Sequence, residues 1–197
     1  MCWNANISLN TFIFGCISAI IIYFFGIIEF KYIIITLSFT LIQLLEYFLW
    51  NNLNNIKINE FLSKIGLIII GIQIFLLCYF YKNEYILYLY FIFVFLFILI
   101  ELKNIKFKTI IGKNKHLRWL WLEPNIIWII IFSSFYLITN IDNKHKFIFV
   151  LITLIISLYY YYEYRTWGSM WCYFSNILWI HLLIYSIIIY LGLNRFL

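Results

Sequence analysis

The stretch YILYLYFIFVFLFILI, residues 85–100, contains no charge, no amide, no glycine and no proline. It is apolar on every face. A membrane barrel strand would alternate polar and apolar positions over about 10 residues, so this run does not fit one. Backbone groups in lipid must be bonded within their own segment, which leaves the helix. Six further apolar runs flank it. With the quoted stretch, they cover residues 11–28, 32–50, 65–81, 85–102, 119–138, 147–164 and 171–193. A hydrocarbon core of about 30 Å takes roughly 20 helical residues. The chain therefore reads as all-α, a polytopic bundle of seven transmembrane helices in a single domain over residues 1–197.

Composition agrees. Apolar residues make up 65% of the chain and charged residues 11%, whereas a soluble domain carries about 25% charged residues. One proline and seven glycines punctuate the 197 residues. No basic region precedes the first run and no small-residue cleavage site follows it, so no cleavable signal peptide is expected. Position 2 is Cys2 rather than glycine, which excludes myristoylation there. The four cysteines, Cys2, Cys16, Cys78 and Cys172, have no metal-ligand spacing. Neither a metal nor a cofactor is expected.

Seven spans place the termini on opposite sides. Side A, with the N-terminus, holds Lys57, Lys64, Lys103, Lys106, Lys108, Lys113, Lys115, Arg118 and Arg165. Side B holds Lys31, Lys82, Lys144, Lys146 and Arg195. Nine against five favours a cytosolic N-terminus under the positive-inside rule. The basic stretch 103–118 also suits anionic lipid. Nucleic acid is not an expected partner, because that loop is short and lies against the membrane.

Polar residues gather toward side A. Trp3, Trp50, Trp119, Trp121, Trp167 and Trp171 fall at that boundary, with Trp128 and Trp179 deeper in the same half. They form either a one-sided interfacial belt or the lining of a cavity open to side A. Two acidic residues favour the cavity. Glu46 and Glu163 each precede a tryptophan, Trp50 and Trp167, by four residues, so each pair shares a helical face. Thr36, Thr40, Gln43, Glu46, Tyr47 and Trp50 fall within a sector of about 120°. A carboxylate inside a span faces protein or water rather than lipid, so this stripe should face the bundle interior. Glu163 either lines the same cavity or sits near the headgroups beside Arg165.

Glu123-Pro124-Asn125 opens the fifth run, as a helix cap or as part of the polar level. Asn176 lies one to two turns into the seventh run, with Cys172 one turn before it. Gln73 shares a face of the third run with Ser63 and Gly66. His181 is a mid-span interhelical donor or a proton relay. His116 and His145 lie in loops and are expected to be solvated.

A parallel three-plus-one-plus-three arrangement would equate the second and sixth helices, the two carrying Glu-x-x-x-Trp, with the fourth as linker. That layout resembles the seven-helix superfamily of sugar-efflux (SWEET-type), PQ-loop and rhodopsin-like proteins. The resemblance is architectural. The Pro-Gln pair is absent, and the seventh run has no lysine for a retinal Schiff base. A second resemblance is to sequence. Residues 1–4 (MCWN), 43–50 (QLLEYFLW) and 167–172 (WGSMWC) look like an uncharacterised family of small multispanning membrane proteins of giant DNA viruses. It implies that Trp3 and Trp171, each next to a cysteine, meet on side A; Cys2 and Cys172 are expected to be close and reduced.

Three functions follow. The first is a transporter or channel for a small polar solute or ion. The second is a non-catalytic receptor, assembly factor or membrane-shaping protein that binds a partner or membrane lipid. The third is an intramembrane enzyme using Glu46 and Glu163. The candidate ligand-binding residues are Glu46, Gln43, Trp50, Glu163, Trp167, Asn125, Asn176 and His181. No catalytic residue is assigned, and the oligomeric state is not legible.

Overall fold

The computed structural model describes residues 4–25, 29–81, 83–123, 126–139, 144–166, 179–184 and 186–191. The chain is mostly helical. Three helices are long and apolar enough to cross a membrane: α1 (Ala5–Phe25), α2 (Phe30–Asn51) and α3 (Ile56–Phe80). Shorter apolar helices are α4 (Glu84–Ile100), α5 (Ile126–Ile138) and α7 (Trp179–Tyr190), and α6 spans Lys144–Tyr164. Asparagines start several of them. Asn4, Asn55 and Asn83 accept from the backbone N–H groups of Ile7, Ile58 and Tyr85 at 2.9, 3.2 and 3.0 Å. These caps satisfy first-turn donors that the helix itself leaves open.

The second helix is central and packs on both α1 and α3. Its hydroxyls are consumed by its own backbone: Thr36, Ser38 and Thr40 donate to the carbonyls of Tyr32, Ile35 and Thr36. Polar side chains are tolerated in an apolar bundle when they are satisfied this way. Between α2 and α3, Gln73 Nε2 donates to the Ser38 carbonyl at 2.9 Å. Between α1 and α2, Gly15 is required by close approach. A Cβ there would lie 2.5 Å from Thr40 Cγ2 and 2.9 Å from the indole nitrogen of Trp179. The fully buried Trp179 of α7 donates to the Thr40 hydroxyl, tying α7 to this pair.

The connection between α4 and α5 departs from the sequence reading. A helix was expected from residue 119. Instead β1 (Thr109–Ile111) and β2 (Leu117–Trp119) form an antiparallel hairpin, with Ile110 opposite Arg118. A 3-10 turn at Leu120–Leu122 follows, and α5 starts only at Ile126. The physical reason is alternation: Leu117 and Trp119 are buried while Arg118 between them is half-buried, the period of a strand rather than a helix. The turn closes through Gly112 N–H to the His116 carbonyl at 2.7 Å, with Lys115 in the left-handed region at φ 62°. The basic stretch is thus folded, and Lys103, Lys106, Lys108, Lys113 and Lys115 all point outward and are exposed.

Candidate functional site

The hairpin is held from one side by α3. A β1–β2 pair leaves an outer edge, and the backbone of Thr109 sits on it. Asn59, in the first turn of α3 and 1% exposed, meets that edge with its side-chain amide. Its Oδ1 accepts from Thr109 N–H at 2.7 Å and its Nδ2 donates to the Thr109 carbonyl at 2.9 Å. One turn on, Ser63 Oγ lies 3.2 Å from Thr109 Oγ1, which also accepts from Trp121 Nε1 at 3.0 Å. A further turn along, Gly66 makes room for that ring: a Cβ there would sit 2.5 Å from Trp121 Cη2. Asn59, Ser63 and Gly66 therefore form one face of α3 shaped to receive β1 and Trp121.

The two tryptophans stack, with centroids 5.0 Å apart and planes 12° from parallel. They join Ile42, Leu45 and Leu49 of α2 in one buried cluster, and Trp50 packs against it. Arg118 and Glu123 form a bidentate pair, Nε to Oε1 at 2.6 Å and Nη2 to Oε2 at 2.8 Å. Glu123 is thus engaged with the hairpin. At the tip, Asn114 Nδ2 donates to Thr166 Oγ1 at 2.8 Å, just past α6. The hairpin consequently gathers the ends of α2 and α6 with the start of α3. His116 is buried rather than solvated, and that burial lowers its pKa from the ordinary 6.5.

Beneath the hairpin lies a cavity of about 350 Å³ between α2, α3, α4 and α5. Trp119, Trp121 and Leu122 form its hairpin end, and Tyr90, Phe97 and Trp128 are among the walls. Two polar groups deeper in are spoken for. Tyr90 donates to the Gly71 carbonyl at 2.7 Å and Gln73 to the Ser38 carbonyl. One donor stands apart: Trp119 Nε1 is buried and finds no acceptor among the described residues. The cavity is open at Ile68 of α3 and Ile98 of α4, which line it yet are 62% and 49% exposed.

The residues singled out from sequence fall in different places. Gln43 and Glu46 are fully buried on α2, neither among the residues lining this cavity. Trp50 is half-buried, with its indole N–H buried and finding no acceptor among the described residues. Glu163, near the end of α6, and His181, on α7, are exposed. Trp167, Asn125 and Asn176 lie outside the described residues, as do Trp3, Trp171, Cys2 and Cys172. The sequence reading passed over Asn59, Thr109 and the strand and turn that carry Trp119 and Trp121. The signal for them was the pattern TII–GKNKH–LRW at residues 109–119, two short runs rich in β-branched and aromatic residues around a Gly/Asn turn, the second alternating. The chain matches no family model, no curated protein and no solved structure.

Proposed function

We propose that the chain is a non-catalytic integral membrane protein that binds an apolar ligand drawn from the bilayer. The observation carrying this reading is the apolar cavity beneath the hairpin, open between two apolar helices. Its size falls within the range of small-molecule sites, roughly 300–1,000 Å³. The proposal includes seven spans, the three-plus-one-plus-three arrangement, a cytosolic N-terminus and the affinity with small multispanning proteins of giant DNA viruses. The paucity of buried residues on α4, where only Tyr90 and Phe97 are buried, supports its role as the linker. The test is native mass spectrometry of delipidated protein offered a total lipid extract. One retained apolar molecule per chain is the expected result, and retention of none overturns the reading.

A second reading, transport of a small polar solute or ion, is favoured by Gln43 and Glu46, both fully buried on a membrane-length helix. Acidic residues inside spans characteristically handle ions or protons. In reconstituted vesicles Glu46→Gln should abolish flux while Glu163→Gln preserves it. Flux lost only with Glu163→Gln would identify the other carboxylate, and no flux from the parent removes the transport reading. The Glu46–Glu163 pair of an intramembrane enzyme gains no support from one buried and one exposed carboxylate.

A further inference from the structure

We propose that the cavity holds one acyl chain of an anionic phospholipid from the hairpin-side leaflet, entered between α3 and α4, with the headgroup at the lysines that follow α4. This rests on the ligand-binding reading above and specifies the ligand's class, entry and polar end.

Four observations converge. The opening at Ile68 and Ile98 is flanked by apolar helices, so in a bilayer it faces hydrocarbon rather than water. The cavity runs from Leu102, just past α4, to Tyr90 on that helix. Twelve residues at 1.5 Å each give roughly 18 Å, the depth of about one leaflet of a core about 30 Å thick. The deep end is closed by Tyr90 and Gln73, whose hydroxyl and Nε2 are bonded to backbone carbonyls. Apart from Ser133 and Tyr136 the remaining lining is apolar, which suits a methyl terminus. At the hairpin end the polarity reverses. Lys103, Lys106 and Lys108 are exposed on the segment that follows Leu102, the cavity's hairpin-side limit. Basic residues at a membrane surface select anionic headgroups.

The experiment uses the full chain, delipidated in detergent and titrated with dioleoyl-phosphatidylglycerol, dioleoyl-phosphatidylcholine or oleic acid, and read by native mass spectrometry. The parent should retain one phosphatidylglycerol, at least five-fold more tightly than phosphatidylcholine and more tightly than oleic acid. Gly71→Leu should cut retention ten-fold or more. A Cβ at position 71 meets only the Tyr90 hydroxyl, at 3.7 Å, so the backbone accepts the side chain, which then fills the cavity. The exposed double variant Lys103→Ala/Lys106→Ala should lower phosphatidylglycerol to the phosphatidylcholine level, and it decides the matter if Gly71→Leu does not fold. Retention unchanged in a folded Gly71→Leu, unchanged preference in the lysine variant, or tighter oleic acid overturns the inference while ligand binding itself stands. Binding of no apolar species by the parent overturns both.

Discussion

Asn59 does for β1 what a third strand would do. Its amide presents a donor and an acceptor to the backbone of Thr109, and the surroundings exclude water. Asn59→Ala leaves a buried N–H and a buried carbonyl unmet, at about 1–3 kcal/mol each. Asn59→Asp keeps the acceptor but sets oxygen against oxygen at the Thr109 carbonyl. Both variants should melt well below the parent in detergent, with neither recovering the other's loss. Gly66→Ala acts from the opposite direction. Its Cβ would meet the Trp121 ring at 2.5 Å, and overpacking of this kind costs about 1–3 kcal/mol. A Gly66→Ala protein as stable as the parent would show that Trp121 can leave its slot at no cost.

The hairpin is the element in which pH and backbone strain should register. Burial lowers the His116 pKa below 6.5, so the folded hairpin binds a proton less readily than the unfolded chain. Stability is therefore full above about pH 6.5 and falls as pH drops through the lower folded value. Melting temperature should be flat from neutral pH upward and decline on acidification, with the decline reduced in His116→Gln. Lys115 occupies a left-handed conformation at φ 62° that costs a non-glycine residue about 1–2 kcal/mol. Lys115→Gly should raise the melting temperature, and a drop would mean the lysine side chain makes a compensating contact. This element was also the least legible one. Lysine density reads as a loop, and the tryptophans beside it read as a belt or a cavity lining without revealing a strand, because composition reports polarity without register. The polar stripe of α2 was legible for the opposite reason. Inside an apolar helix each polar group must face protein, so Gln43 and Glu46 could be assigned to the interior from spacing alone. The face Ser63–Gly66–Gln73 was visible on the same grounds, but the partner of Ser63 and Gly66, a strand and turn about fifty residues away, leaves no mark on local periodicity.

For the whole molecule, the hairpin's contacts with α2, α3 and α6 collect the basic segment at a single end of the bundle. That makes orientation measurable at an exposed hairpin residue. On the proposed topology, Lys113→Cys should react with a membrane-impermeant maleimide only after the cytosolic face is opened, above the labelling of the parent cysteines. Labelling in intact cells would invert the topology. The predominantly helical fold was readable from hydropathy, since lipid admits few alternatives. The length of the fifth helix was not, because Trp119 and Trp121 are as apolar as a span requires while belonging to a strand and a turn.

The slot that Gly66 leaves for Trp121 has a consequence for inheritance. Position 66 enlarges most readily in a lineage that has already reduced position 121, because the intermediate with both large is overpacked. Likewise position 59 can lose its amide only where residue 109 finds another edge partner. Among descendants of a common ancestor, positions 59, 63, 66, 109 and 121 should change as a set. A sample in which they drift independently would mean that the hairpin docks differently there.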